Sequence, residues 1–218
     1  MKLIKKIIII VIILIIGYCS YYVATGYNMY KEALKSMSIE DKVKEIESIE
    51  NYVTYDELPQ DYINAVIAVE DHRYFNHGAI DIIAIFGAFK TNLKNQKLIE
   101  GGSTITQQLA KNIYFTQERK IERKIAEIFM AFALEKNLTK EKIFELYINT
   151  SYFGEGYYGI GNASLGYYNK KASELNFYEC TMLAGVPNAP SVYAPTVNPE
   201  LAERRRQIVL QTLKEYKY

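Results

Sequence analysis

The chain has 218 residues, room for one ordinary domain and not comfortably for two. Hydrophobic residues make up 49% and charged residues 23%, which excludes a disordered or collagenous chain. With 26 basic and 25 acidic residues the formal net charge is +1, so the basic excess of a general nucleic-acid binder is missing.

From Ile7 to Ile16 every residue is Ile, Val or Leu, and no charge falls between Lys6 and Lys31. As a helix this uncharged stretch would span about 36 Å, enough for a hydrocarbon core of about 30 Å. Lys2, Lys5 and Lys6 precede it, so the positive-inside rule predicts a cytoplasmic N-terminus and an extracytoplasmic remainder. A cleaved secretory signal is the rival reading, but Ser20-Tyr21-Tyr22 and Val23-Ala24-Thr25 are poor cleavage sites. The organisation expected is a cytoplasmic tip and anchor over residues 1–26, a mixed-charge stalk over 27–54 and a domain over 55–218. Cys19 lies in the anchor and Cys180 in a predicted helix, so neither a disulfide nor a thiolate metal site is expected.

Beyond the stalk, helical patterns dominate and strand signals are scarce. Ile63 to Glu70 reads as a short helix with Ile63, Val66 and Ile67 near one face. Asp81 to Leu93 is a second, with Asp81 placed to cap it. Its Ile82, Ile83, Ile85, Phe86 and Phe89 cannot all point inward, so it is either a fully buried core helix or a face dipping into the bilayer surface. Gly101-Gly102-Ser103-Thr104 is a turn and a helix start. Arg119 to Asn137 is the longest pattern, with Ile121, Ile125, Ile128 and Phe132 as one apolar stripe. Thr139 can cap a helix over Lys140–Asn149, and three more are expected over Gly159–Tyr168, Leu175–Ala184 and Pro199–Tyr216. The fold class is mostly α.

Several groups can carry chemistry. Glu70 ends an apolar helix, where burial disfavours the charged form; it is either an ordinary helix-end carboxylate or a general base with a raised pKa. His72 and His77 do not have the spacing of a helical zinc pair and read as structural residues. Arg119, Lys120, Arg123, Lys124 and Glu127 fall on one arc opposite the apolar stripe. That arc is either a solvated face with an Arg123–Glu127 pair, contributing about 0.3 kcal/mol, or an anion cradle to which Lys111 and Asn112 add donors. The Gly101-Gly102 turn can admit a phosphate or sugar close to the backbone.

Together these segments resemble the peptidoglycan glycosyltransferases, glycosyltransferase family 51. The blocks follow in order: Glu70 to His77 (EDHRYFNH), Gly101 to Asn112 (GGSTITQQLAKN), Arg123 to Glu127 (RKIAE), Lys142 to Asn149 (KIFELYIN), and Gly159-Ile160 through Tyr168-Asn169-Lys170. Leu183 to Ser191 fits as well, and the likeness spans roughly residues 55 to 213. It implies a lysozyme-like helical fold on a transmembrane helix and polymerisation of lipid II into glycan strands. Glu70 matches the general base and Glu127 the second carboxylate, which supports pyrophosphate departure, with or without a divalent cation (Mg or Mn). No dedicated protein metal site and no organic cofactor are expected. Lys111, Arg119 and Lys124 match the cations around the phosphates, and Ser103, Gln107, Gln108 and Asn112 match polar contacts to donor sugar or phosphate. The greasy 82–93 region corresponds to the membrane-facing part.

There are departures. Tyr74 stands for the usual Phe, Ala79 for a Gly, Gly87 for an Arg whose charge Lys90 can replace, and Ala126 for a Lys of some members. No Ser-x-x-Lys or Lys-Thr-Gly occurs in the sequence, so a monofunctional enzyme working beside separate transpeptidases is expected, with no nucleic-acid partner. The competing expectations are a wall-cleaving, lysozyme-like muramidase and a catalytically silent lipid II-binding scaffold.

Overall fold

A computed structural model describes residues 2–95, 101–116, 118 and 120–218. Its elements are α1 (Lys2–Ser36), α2 (Ile39–Glu47), α3 (Gln60–Glu70), α4 (Ile82–Asn95), α5 (Ile105–Tyr114) and α6 (Ile121–Asn137), followed by α7 (Lys140–Thr150), α8 (Ile160–Tyr168), α9 (Phe177–Gly185), α10 (Pro190–Tyr193) and α11 (Pro199–Tyr216). Among the described residues the only β pairing is an isolated bridge between Tyr152 and Tyr158. The fold is mostly α, as the sequence predicts.

Helix α1 is long and apolar enough to cross a membrane. It does not stop at the bilayer stretch: it runs unbroken to Ser36, and its second half packs along α6. The residues read as a stalk are therefore largely ordered helix. Ser38 caps α2 by accepting the Asp41 N–H at 3.1 Å. Lys142 of α7 then ties this segment down, pairing with Glu47 at 2.5 Å and with Glu145, which also accepts the Tyr55 N–H at 2.7 Å.

The core forms where α3, α5, α7, α9 and α11 meet. Ile63, Val66 and Ile67 are buried on α3 as expected, and Tyr62, Tyr147, Phe144 and Leu109 fill the space between helices. Each fully buried Ile or Leu side chain stabilises the domain by about 1.5–3 kcal/mol relative to exposure. Tyr74 is fully buried, and its hydroxyl donates to the Lys140 carbonyl at 2.6 Å, so the phenol in place of Phe has a partner.

Two helices divide apolar residues differently from a soluble protein. Helix α4 is capped by Asp81, whose Oδ1 accepts the N–H groups of Ile83 and Ala84 at 2.9 and 3.0 Å. Its Ile82, Ile83, Ile85, Phe86 and Phe89 are exposed, which excludes the buried-core reading. A continuous exposed patch of such side chains marks a lipid or partner surface. On α6 the stripe Ile121–Ile125–Ile128–Phe132 is not the core face. Ile121 and Phe132 are exposed, whereas Ala126, Glu127, Met130, Ala131 and Leu134 are buried. Ile125 lies against Gly26 of α1. Within the stripe Ile125 meets the anchor, and within the charged arc Glu127 and Arg123 turn inward while Lys120 stays exposed.

Candidate active site

The site is assembled on three helices, with α5 in the middle. Glu70 is the last residue of α3, its side chain 10% exposed. Its Oε2 accepts from Gln108 Nε2 at 2.9 Å, while Oε1 is buried without a hydrogen-bond donor. The nearest cation is Arg205 of α11, 3.9 Å from that oxygen. Burial raises the Glu70 pKa; the Gln108 bond and the charges of Arg205 and Lys111 oppose it without cancelling it. A carboxylate whose proton affinity is raised in this way suits a general base.

The neighbouring Asp71 has the opposite environment. Its Oδ1 accepts from His77 Nε2 at 2.7 Å and its Oδ2 accepts the Ile105 N–H at 3.0 Å. His77 Nδ1 donates to the Gly78 carbonyl at 2.6 Å. Both ring nitrogens thus face acceptors, which the imidazolium satisfies. Burial pushes the His77 pKa down, but the Asp71 hydrogen bond and charge outweigh it and leave the pKa raised. Asp71, His77 and Asp81 cluster within reach of one ion. Asp81, however, is occupied by Arg73 at 2.9 Å and by the α4 cap. The cluster is a closed hydrogen-bond network that locks the segment after Glu70 onto the start of α5, consistent with His77 as a structural residue.

Helix α5 begins with a capping box: Thr104 accepts the Gln107 N–H at 3.2 Å, and Gln107 Oε1 accepts the Thr104 N–H at 3.0 Å. Gln107 is 3% exposed, so its side chain closes the cap and does not present itself to a ligand, a correction to the sugar or phosphate contact expected of it. Thr104 also donates to the backbone carbonyl of Ala79 at 2.8 Å, a bond that a glycine there would make equally. Gln108, Lys111 and Asn112 lie three and four residues apart on one face, and all are half-buried. Tyr147 donates to Gln108 Oε1 at 3.4 Å, orienting the amide so that its NH₂ meets Glu70.

The opposite wall is α6. Glu127 is 1% exposed and paired with Arg123 and, at 3.0 Å, with Lys124. This is not the solvated surface pair weighed from the sequence. Lys124 also donates to Ser103 Oγ at 2.7 Å, joining the Gly-rich turn to α6. Burial first, then the charges of Arg123 and Lys111, pushes the Lys124 pKa down to about 8. Lys111 is likewise lowered by burial and by Arg123, and is held up by Glu70, so it feels both walls. Arg119 lies outside the described residues. Gly87 faces open space on α4.

One carboxylate hemmed by two or three cations suits a bound anion better than a divalent ion. Both Glu127 oxygens are paired with Arg123 and Lys124, and among the described residues Glu127 belongs to no group of three or more side chains that could ligate one ion. These residues do not fit a Mg or Mn site of several oxygen ligands. Sequence reasoning missed Arg205, which belongs to none of the quoted blocks, and left Asp71 and Tyr147 without a place in the site. Arg205 reaches Glu70 because Gly185 leaves room; a Cβ there would lie 2.9 Å from Arg205 Cγ.

Comparison with known proteins shows the family. Residues 37–214 match the model of the transglycosylase family. Penicillin-binding protein 1A of Aquifex aeolicus is 44% identical over 167 residues, 77% of this chain and 23% of the relative. Penicillin-binding protein 1A of Pseudomonas aeruginosa is 42% identical over 161 residues, 74% of this chain and 20% of the relative. A protein of Cupriavidus necator that carries a transglycosylase name is 40% identical over 165 residues, 76% of this chain and 71% of its own length. The chain thus spans less than a quarter of the penicillin-binding relatives and most of the shorter one. With its matched region covering the whole packed domain, the chain belongs to the transglycosylase family.

Proposed function

We propose that this protein is a peptidoglycan glycosyltransferase that polymerises lipid II into β-1,4-linked strands and releases undecaprenyl diphosphate. The observation that carries this reading is the asymmetry about α5. A poorly partnered, buried Glu70 lies on one side, Arg123 and Lys124 pair with Glu127 on the other, and Lys111 feels the charges of both Glu70 and Arg123.

The step follows from that asymmetry. Glu70 accepts the proton of the acceptor sugar's 4-hydroxyl as its oxygen attacks C1 of the donor. The new C1–O4 bond forms as the α C1–O bond to the diphosphate breaks, and the electron pair leaves with the diphosphate oxygen. A single displacement inverts the configuration to β. Lys111 and Lys124 stabilise the charge that grows on the leaving group, and Glu127 pairs with Lys124 and Arg123 to keep those two cations together. Ser103, Gln108 and Asn112 supply polar contacts nearby, and Arg119 is a further phosphate contact. No step is assigned to a metal.

The apolar α1 and α4 surfaces support a membrane-held enzyme acting on a membrane-held substrate, with its N-terminus cytoplasmic and the domain outside. Separate transpeptidases would then cross-link the product. Incubation of the full chain with lipid II, and separately with purified glycan, tests the reading. Polymer from lipid II is the expected result. Cleavage of glycan without polymerisation would indicate a muramidase, and binding without either reaction a scaffold.

A further inference from the structure

Helix α1 touches α6 more closely than side chains ordinarily allow. Gly26 is buried at the crossing, and a Cβ there would lie 2.7 Å from Cβ and Cγ2 of Ile125 and 2.8 Å from the Glu122 carbonyl oxygen. One turn on, Tyr30 packs against Phe129 with ring centroids 5.9 Å apart, and Tyr27 meets the same ring at 5.1 Å. Ala33 and Leu34 continue the contact into the core. The contact is therefore a packed helix–helix seam, and Gly26 is its point of closest approach. Gly17, on the same helix, has nothing within 4 Å of its added Cβ.

The other side of α6 at the same level carries Arg123, Lys124 and Glu127. Ile125 sits between these residues in sequence, so a shift of the helix at Ile125 moves all three charges together. Their contacts leave little slack: Lys124 reaches Ser103 at 2.7 Å and Glu127 at 3.0 Å. Relieving a 2.7 Å contact to an ordinary one of about 3.4 Å would displace α6 by more than half an ångström. Misplacement by about 1 Å costs on the order of 10²-fold in rate in a preorganised site.

We propose that Gly26 is a positioning residue through which the membrane anchor sets the place of the α6 charge cluster relative to α5 and Glu70. The anchor is thereby a structural support of the site as well as a tether. This rests on the glycosyltransferase reading.

The test compares full-length Gly26→Ala, Gly26→Leu, Gly17→Leu and the double variant Gly26→Ala/Ile125→Gly in detergent with lipid II, each corrected for folded fraction from its thermal melt. Gly26→Ala is expected to lose about tenfold in kcat/KM and Gly26→Leu more, with Gly17→Leu unchanged. In Gly26→Ala the basic limb of the kcat/KM profile should move upward, because Lys124 becomes better solvated as α6 moves from α5. Removing the Ile125 side chain should restore most of the loss. Activity of Gly26→Leu within twofold of the unaltered protein overturns the proposal. So does a loss that follows the folded fraction, leaves the basic limb in place and is not rescued. A wild-type chain that makes no polymer would instead refute the glycosyltransferase reading itself.

Discussion

The two sides of the site hold one buried carboxylate each and surround it in opposite ways. Glu70 keeps one amide donor and an arginine 3.9 Å away, and its pKa is raised. Glu127 is hemmed in by Arg123 and Lys124. The difference shows that burial alone does not decide what a carboxylate does. A buried acid with few partners gains proton affinity, whereas one paired with cations orders them for an anion.

Exchanging each acid for its amide breaks this contrast most directly. Glu70→Gln is expected to lower kcat by about 10³-fold, the loss of a general base, measured as polymer formed from lipid II. Glu127→Gln should cost on the order of 10²-fold, because Arg123 and Lys124 stay near the site but lose their register. Wild-type-like kinetics for the second would reduce Glu127 to part of an ion pair without catalytic consequence.

Arg205 sharpens the Glu70 side. Arg205→Met removes a charge that lowers the Glu70 pKa, so the acidic limb of kcat/KM should move to higher pH, with a loss of roughly tenfold below neutrality. Arg205→Lys should recover part of it. An unmoved limb would leave Arg205 a packing residue.

The cation wall predicts the other limb. Lys124, held at about 8 in the free protein, loses its charge as pH rises through that value, so kcat/KM should fall there. The corresponding limb of kcat should lie higher, since a bound diphosphate favours the charged lysine.

Two smaller effects concern stability. A glutamate whose folded pKa is raised is destabilising once ionised, so Glu70→Gln should raise stability at pH 7 by about 1 kcal/mol and leave it little changed below pH 4. His77 has the opposite sign: its raised folded pKa stabilises the fold below its unfolded pKa, and this is lost as pH rises through the folded value. The urea midpoint should therefore decline through that window, and less so in His77→Gln.

Much of this site is legible in the sequence. The Glu70-to-His77, Gly101-to-Asn112 and Arg123-to-Glu127 blocks single out the two carboxylates and most of the cations through their resemblance to the family, where residue type and interval alone left two readings open. Reading α6 fails for a physical reason. A stripe of Ile and Phe is ordinarily taken to mark the core, but a domain seated on a membrane has two apolar surroundings, and this stripe meets the anchor and the outside while Glu127 turns in. Gln107 misleads similarly, since an amide three residues after a threonine satisfies a helix cap as readily as a ligand.

By itself the sequence determined the helical class, the apolar N-terminal span, the capping of α4 and α7 and the family blocks, because these rest on local periodicity and short-range hydrogen bonding. Tertiary structure alone decided that Arg205 approaches Glu70, that Tyr147 orients Gln108, that Asp71 and His77 close one network, and that Gly26 brings the anchor against α6. Those contacts depend on burial and distance, and most of them join residues far apart in the chain, so their energies exist only once the helices are packed.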